Sequence, residues 1–190
     1  MQKAVFFDRD GVLNIDKDYI TSPDEFVLYE EVGNIIEHCR NIGYKTVIVT
    51  NQPAVARGLI SENNLTELHN KFKQMLLKKN PNAIIDKICY CPHHPDAELT
   101  EYRISCSCRK PKPGMIIDAA AELNIDLTKS YMIGDRISDI IAGKLAGCAT
   151  IQCKTGKHTE KMIKTDLDIK ESIIPDYVIE DLSELKELIK

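Results

Sequence analysis

The stretch KAVFFDRDGV, residues 3–12, joins a short apolar run to two aspartates and a glycine. The apolar, aromatic and β-branched residues of this run predict a buried strand that ends at Asp8. Because successive side chains of an extended chain point to opposite sides, we expect Asp8 and Asp10 on one side and Arg9 on the other. The first strand therefore delivers a pair of carboxylates to one end of a sheet.

Similar apolar runs recur along the chain, separated by helical patterns. The runs are KTVIVTN (45–51), IIDKICYC (84–91), SYMIGD (130–135), ATIQC (149–153) and DYVIED (176–181). Helical spacing of apolar residues covers 32–41, 61–77, 115–123 and 138–146, with an amphipathic closing helix over 182–190. Strands that alternate with helices predict an α/β fold, a Rossmann-like parallel sheet with helices on both faces.

The bulk composition excludes several classes of protein. A chain of 190 residues with 43% hydrophobic content predicts a single domain over residues 1–190. The net charge of −4 argues against a nucleic-acid or membrane-surface binder, which would carry a basic face. The first apolar run is too short for a signal peptide, and none approaches the ~20 residues of a membrane span. We therefore expect a cytoplasmic monomer that has neither a nucleic-acid nor a membrane partner.

Polar residues follow several of the predicted strands. The second strand ends at Thr50, a later strand is followed by Asp135, and Lys110 precedes a helix. Parallel sheets bind ligands beyond the carboxyl ends of their strands. Carboxylates gathered there repel one another unless a cation such as Mg²⁺ neutralises them, and a hydroxyl and an ammonium group suit a phosphoryl group. This pattern predicts phosphoryl transfer to a carboxylate nucleophile.

A second candidate site lies in CPHHPDAELTEYRISCSCRKPKPG, residues 91–114. Cys91, His93, Cys106 and Cys108 form two close pairs that together make a complete tetrahedral set for a structural Zn²⁺. Each pair is tighter than the usual C-x₂-C knuckle, so a reduced, metal-free cluster is the alternative. We interpret residues of about 89–110 as a zinc-binding loop that fixes the directions of the next two cations, Arg109 and Lys110. Four other cysteines are interpreted as core residues: Cys39, Cys89, Cys148 and Cys153.

The motifs DRDGV, VTNQ, RKPKPG and GDRISD resemble, in order, the four motifs of the haloacid-dehalogenase-like (HAD-like) phosphatase superfamily. The insertion CPHHP…CSCRKP is similar to that of its histidinol-phosphatase and heptose-bisphosphate-phosphatase branch. The resemblance implies that Asp8 attacks phosphorus and that Asp10 is the general acid and base. It implies Mg²⁺ held by Asp8, the backbone carbonyl of Asp10 and Asp135, with Thr50 and Lys110 stabilising the phosphoryl group.

The resemblance also implies a substrate site and an activity. Its lining residues would be Asp16, Lys17, Asp18, Tyr19, Asn51, Gln52, Pro53, Arg109 and Arg136. The gaps between the predicted elements are too short for a large lid, so we expect a minimal cap. The implied reaction removes the 7-phosphate of D-glycero-D-manno-heptose 1,7-bisphosphate, and the product's 1-phosphate then serves nucleotide activation in lipopolysaccharide or capsule biosynthesis.

Other functions fit parts of the pattern. A histidinol-phosphate phosphatase shares the motifs and the insertion. A phospho-accepting receiver module also uses acidic residues, threonine and lysine at strand ends, but the second strand here offers no acceptor aspartate. A zinc-centred binding module is disfavoured by the acidic composition. Among the remaining polar residues, Asp139 is expected to orient Lys110 or metal-bound water, and His38, His69 and His158 are interpreted as surface residues.

Overall fold

The computed structural model describes residues 1–160 and 174–190. Its strands form one sheet, and every pairing in that sheet is parallel. The strands are β1 (Lys3–Phe7), β2 (Tyr44–Asn51), β3 (Lys87–Cys91), β4 (Tyr131–Gly134), β5 (Ala149–Cys153) and β6 (Tyr177–Ile179). The helices are α1 (Val32–Asn41), α2 (Glu62–Lys79), α3 (Gly114–Leu123), α4 (Ile137–Ala146) and α5 (Leu185–Leu188). The predicted α/β fold is confirmed.

The order of the strands places a topological switch at the centre of the sheet. The order is β3-β2-β1-β4-β5-β6, so the chain builds outward from β1 in one direction and then crosses to its other side. Phe7 is in register with Ile48 of β2 and with Ile133 of β4, which brings the carboxyl ends of three strands together. Ligand sites of open α/β sheets lie at such a switch point.

The alternation of side chains along β1 divides the core between the two faces of the sheet. Val5 and Phe7 belong to the apolar cluster that α1, α2 and α5 cover, whereas Ala4 and Phe6 belong to the cluster beneath α3 and α4. α2 begins as predicted, because the Ser61 side chain caps it by accepting from the Asn64 amide at 3.2 Å. Both faces of the sheet are therefore covered by helices.

The cysteine and closing-helix predictions hold in most respects. Cys39, Cys148 and Cys153 are buried, whereas Cys89 is only partly buried against the second cluster. The predicted closing helix is a 3₁₀ turn followed by the single turn of α5, with Leu182 and Leu185 buried. Over residues 1–160 and 174–190, no helix is both long enough and apolar enough to cross a membrane.

Candidate active site

A lysine from beyond β3 meets two carboxylates at the switch point. The Lys110 ammonium nitrogen lies 3.0 Å from Asp8 Oδ1 and 2.7 Å from Asp139 Oδ1. It also donates to the Val49 carbonyl oxygen at 2.8 Å, and the lysine side chain is only 2% exposed. Asp8 Oδ1 accepts in addition from the Arg9 amide at 2.7 Å. Lys110 is therefore a fixed, desolvated cation between the end of β1 and the start of α4.

Asp135 completes a group of three buried carboxylates with Asp8 and Asp139, whose nearest oxygens all lie within 4.8 Å of one another. Its Oδ2 accepts from the Lys157 amide at 2.6 Å. Two glycines leave room for it: a Cβ would lie 2.5 Å from Oδ2 at Gly11 and 2.2 Å at Gly156. Its Oδ1 is buried and has no hydrogen-bond partner within the described ranges. A buried oxygen without a hydrogen-bond partner is expected where a carboxylate binds a cation, because the cation satisfies that oxygen in place of a hydrogen bond.

Asp8 and Asp135 are harder to ionise in the folded protein than in water. Burial raises the pKa of Asp8 to about 7. The charge of Lys110 acts in the opposite direction and lowers this pKa, whereas the charge of Asp139 raises it further. Burial, together with Asp139 and Asp8, raises the pKa of Asp135 to about 8. Although burial alone would lower it, the two carboxylates hold the pKa of Lys110 above its ordinary value. One ammonium group does not compensate three carboxylates, so the donor set, all hard oxygens, fits a divalent cation such as Mg²⁺.

The end of β2 carries a hydroxyl and two amide side chains. Thr50 is 1% exposed, and its Oγ1 accepts from Gln52 Nε2 at 2.9 Å, which leaves its hydroxyl hydrogen for another acceptor. Asn51 uses both ends of its side-chain amide on the backbone of one residue, Lys110. Its Oδ1 accepts from the Lys110 amide at 3.1 Å, and its Nδ2 donates to the Lys110 carbonyl at 3.0 Å. Asn51 thus holds the backbone of Lys110, and the substrate contact implied for it stays a prediction.

The Asp10 carboxylate lies outside the group of three and is bound by four donors. Its Oδ1 accepts from Arg9 Nε at 3.1 Å and Asn14 Nδ2 at 2.9 Å. Its Oδ2 accepts from Arg9 Nη2 at 2.7 Å and Gln52 Nε2 at 3.0 Å. Burial alone would raise the pKa of Asp10, but Arg9 and these hydrogen bonds hold it below its ordinary value.

The loop implied for substrate binding reaches the same edge of the sheet through ion pairs. Arg136, which follows Asp135, places Nη2 3.0 Å from Asp16 Oδ2 and Nη1 2.6 Å from Glu160 Oε2. Asp18, whose φ is +63°, pairs with the ammonium group of Lys157. Lys17 and Tyr19 belong to the same loop: Lys17 is exposed, and the Tyr19 ring lies 5.6 Å from the Arg57 guanidinium. Pro53, which follows β2, is partly buried.

The second candidate site is assembled as the sequence predicts. Cys91 Sγ lies 2.8 Å from Cys108 Sγ and 3.6 Å from both Cys106 Sγ and His93 Nδ1. Cys108 Sγ lies 3.3 Å from Cys106 Sγ and 3.4 Å from His93 Nδ1. None of these cysteines is in a disulfide. Ligands around a Zn²⁺ ion with bonds of about 2.3 Å lie roughly 3.8 Å apart, so the cluster is close to the required size.

Charge within this cluster also fits a metal. The hydrogen bond to Cys108, together with burial, raises the pKa of Cys91, whereas the same bond lowers the pKa of Cys108 to about 5. Three thiolates held this close would repel one another, so a bound cation is needed to keep all three ionised together. Arg109 Nη1 donates to the His93 carbonyl at 3.0 Å, which ties the arginine beside Lys110 to this loop.

The sequence interpretation missed a polar network behind Asp10 and was wrong about His69. That histidine is 5% exposed rather than on the surface, and its Nε2 lies 3.0 Å from Nη1 of the fully buried Arg9. His38 is half-buried and bonds to the Ile189 carbonyl at 3.0 Å. Asp139 was expected to orient Lys110 or metal-bound water, and its carboxylate does contact Lys110. The position of Arg9 between Asp8 and Asp10 is the feature of the sequence from which this network could have been predicted.

Comparison with known proteins connects this geometry to a class of enzymes. A family model described as HAD-hydrolase-like matches residues 107–185. The crystal structure of D,D-heptose 1,7-bisphosphate phosphatase from B. bronchiseptica, complexed with magnesium and phosphate, superposes with a TM-score of 0.80 at 33% identity. The match covers 98% of this chain and 97% of that chain. The fold is the α/β fold of HAD-like phosphatases.

Two relatives identify the family of HAD-like phosphatases to which the chain belongs. The D-glycero-beta-D-manno-heptose-1,7-bisphosphate 7-phosphatase of Photorhabdus laumondii is 40% identical over 187 residues, covering 98% of this chain and 95% of the relative. The protein of the same name from Haemophilus ducreyi is 43% identical over 157 residues, covering 82% and 85%. The chain belongs to this family of heptose-bisphosphate phosphatases within the HAD-like hydrolases.

Proposed function

We propose that this chain is a Mg²⁺-dependent phosphatase that removes the 7-phosphate of D-glycero-β-D-manno-heptose 1,7-bisphosphate. The observation that carries the proposal is the buried group of Asp8, Asp135 and Asp139 with Lys110 at the switch point of the sheet. The sugar and the position of the phosphate follow the names of the relatives. The product keeps the phosphate at carbon 1, the group that a nucleotidyltransferase requires in the biosynthesis of lipopolysaccharide or capsule.

Mg²⁺ would be held by carboxylates of Asp8 and Asp135 and by the backbone carbonyl of Asp10. The unsatisfied Oδ1 of Asp135 and the raised pKa values of both carboxyl groups support this assignment. When bound, the ion keeps these carboxylates ionised and neutralises charge on the phosphoryl oxygens. Asp139, which contacts Lys110, would keep that ammonium group in place.

The side chains of the site can be assigned to successive steps. The contacts of Asp8 with Arg9 and Lys110 fall on Oδ1, so Oδ2 is the oxygen that attacks phosphorus and forms the aspartyl phosphate. Asp10 is ionised in the free site, because Arg9 holds its pKa low, so it would first take up a proton from the phosphate monoester or from solvent as the substrate binds. It would then give that proton to the leaving sugar oxygen and remove one from the water that hydrolyses the aspartyl phosphate. The Thr50 hydroxyl donates to a phosphoryl oxygen, and Lys110 stabilises its negative charge.

We further propose that Cys91, His93, Cys106 and Cys108 hold a structural Zn²⁺. Their mutual distances and the ligand set of three thiols and one imidazole support a closed, four-ligand site. Such a site leaves no position for substrate, so its contribution is mechanical. It fixes the loop that precedes Arg109 and Lys110.

Selection of the substrate would fall to the cations and the loop at the mouth of the site. Arg109 and Arg136 would bind the distal phosphate or hydroxyl groups, with Asp16, Lys17, Asp18 and Tyr19 on one side and Asn51, Gln52 and Pro53 on the other. The described strands all belong to one sheet, which supports a single phosphatase domain with a minimal cap. We expect this domain to act as a monomer in the cytoplasm, with no nucleic-acid or membrane partner.

The substrate is tested by comparing kcat/KM for both anomers of the heptose bisphosphate, fructose 1,6-bisphosphate and histidinol phosphate. We expect the β-anomer to be preferred and ³¹P NMR to show that the phosphate at carbon 1 is retained. Arg109→Met should reduce this preference because it removes a planar donor group from the mouth of the site. A preference for histidinol phosphate would assign the chain to the other activity of the branch.

The covalent step is tested by two conservative substitutions. Asp8→Asn removes the nucleophile at constant size and should lower kcat by several orders of magnitude, about 10⁴-fold or more. Asp10→Asn should lower it by about 10²–10⁴-fold, the usual contribution of a general acid or base. Near-normal turnover by Asp8→Asn, with an inactive Asp10→Asn, would show that the two roles are wrong.

A further inference from the structure

The side chain of Arg9 is entirely buried although it follows the catalytic aspartate directly. Its Nε and Nη2 form a two-pronged contact with the Asp10 carboxylate, at 3.1 and 2.7 Å. Nη2 also donates to Gln52 Oε1 at 3.0 Å, and the guanidinium carbon lies 5.2 Å from the centre of the Phe26 ring. A buried guanidinium with this many partners has a defined position, and so does the carboxylate attached to it.

His69 provides the remaining anchor of the guanidinium. Its Nε2 lies 3.0 Å from Arg9 Nη1. Arginine has donors only, so Nε2 must be the acceptor and its proton must be on Nδ1. Burial and Arg9 lower the pKa of His69 to about 3, which agrees with a neutral ring. Because His69 lies in α2, its contact with Arg9 links this helix to the end of β1, 60 positions earlier in the chain.

The four donors around Asp10 show why its position depends on Arg9. Asn14 and Gln52 each supply one neutral hydrogen bond, whereas Arg9 supplies two that are charge-assisted and lie in one plane. A planar, two-pronged contact fixes both the position and the tilt of a carboxylate. Proton transfer requires that tilt to be correct, since a misplacement of about 1 Å can cost roughly 10²-fold in rate.

We propose that His69 is a positioning residue for proton transfer: its Nε2 fixes Arg9, and Arg9 fixes the Asp10 carboxylate. The inference rests on the proposed role of Asp10 as general acid and base. It adds a residue of α2 that touches neither substrate nor metal ligand. Loss of the Nε2 acceptor lets the guanidinium turn and releases the carboxylate.

The test uses His69→Met, which removes the acceptor at similar volume, and His69→Gln, whose Oε1 can replace Nε2. Each variant is assayed with the heptose bisphosphate and with p-nitrophenyl phosphate. p-Nitrophenolate is a stable anion that leaves without being protonated, whereas a sugar alkoxide must receive a proton from a general acid as it leaves. We expect His69→Met to lose about 10–100-fold in kcat/KM on the sugar substrate and less than about 3-fold on the aryl phosphate. His69→Gln should restore most of the loss.

Asp10→Asn separates this inference from the proposed function. In kcat/KM, which reports the steps up to departure of the leaving group and not the later hydrolysis of the aspartyl phosphate, it should show the same contrast between the substrates, only larger. An equal loss of kcat/KM on both substrates would refute the role given to Asp10 as general acid. If Asp10→Asn shows the contrast and His69→Met loses equally on both substrates, His69 is structural and the inference fails. A ¹⁵N spectrum of the wild-type imidazoles, with His69→Gln to assign the signal, tests the tautomer directly. A proton on Nε2 of His69 would overturn the proposal.

Discussion

The buried His69 should make the folded protein sensitive to mild acid by an amount that can be calculated. In the unfolded chain a histidine has a pKa near 6.5. In the fold, burial and the cations Arg9 and Lys73 outweigh Asp10 and lower the pKa of His69 to about 3. The Tyr90 ring also lies near the His69 ring, with the two ring centres 5.6 Å apart. The proton therefore binds the unfolded state more tightly, so this group makes stability rise with pH up to about 6.5.

The magnitude follows from the difference between the two pKa values. At pH 5 the unfolded histidine is protonated and the folded one is neutral, which costs the folded state about 2 kcal/mol, at ~1.4 kcal/mol for each unit below 6.5. At pH 8 the cost is absent. His69→Gln has no such proton to bind, so the difference in unfolding free energy between wild type and variant should change by about 2 kcal/mol between pH 8 and pH 5.

Urea denaturation of both proteins, followed by circular dichroism at several pH values, measures this difference. Other titrating groups, including the proposed zinc ligands, are common to the two proteins, so their contributions largely cancel in the subtraction. The slopes against urea must agree for the comparison to hold. Curves of unfolding free energy that run parallel from pH 8 to pH 5 would show that His69 is protonated as easily in the fold as outside it.

Four substitutions at three positions test the arrangement of the rest of the site. Cys106→Ser should lose the expected zinc ion from metal analysis and much of the stability it gives, on the order of 10 kcal/mol for comparable sites; wild-type protein without stoichiometric zinc would contradict this. Asn51→Ala removes both bonds to the Lys110 backbone and should lower kcat by about 10–100-fold. Asn51→Asp keeps the acceptor for the Lys110 amide but turns a second oxygen toward the Lys110 carbonyl and adds a negative charge, so it should lose at least as much activity as Asn51→Ala. Gly156→Ala places a Cβ against Asp135 and should raise the Mg²⁺ concentration for half-maximal activity; an unchanged requirement would refute the packing argument.

The fold could be predicted from the sequence because each element has a clear apolar period and a polar end. The strand that carries Asp8 and the helix that Ser61 caps are both determined by residues within a few positions. The gathering of Asp8, Thr50 and Asp135 follows from the sheet alone, since parallel strands bring their carboxyl ends to one edge. These predictions needed no knowledge of contacts between distant side chains.

What could not be predicted depends on such distant contacts. Nothing in the helical pattern of α2 distinguishes His69 from an exposed histidine until the position of Arg9 is known. Likewise, Tyr90 and Tyr102 both donate to the carboxylate of Glu62, at 2.9 and 3.0 Å, and so attach the loop of residues 89–110 to the start of α2. Local spacing carries no information on pairings of this kind.

Charge at the switch point implies that metal and phosphate bind cooperatively. Above about pH 8, where Asp8 (pKa about 7) and Asp135 (pKa about 8) are ionised even without a metal, the three carboxylates of Asp8, Asp135 and Asp139 and the ammonium group of Lys110 give a formal charge of −2. Asp10 is balanced separately by Arg9. A phosphate dianion that enters without a cation meets net repulsion in a desolvated site, whereas Mg²⁺ brings the group to neutrality.

Calorimetric titration of inorganic phosphate with and without Mg²⁺ measures this coupling without turnover. We expect Mg²⁺ to tighten phosphate binding at least about 10-fold, and phosphate to tighten Mg²⁺ binding by the same factor, since the coupling free energy is reciprocal. Asp135→Asn removes one charge and one proposed ligand, so it should weaken Mg²⁺ binding and reduce the coupling. Equal phosphate affinity with and without Mg²⁺ would mean that Lys110 and the Thr50 hydroxyl hold the anion by themselves, and the charge argument for the metal would be lost.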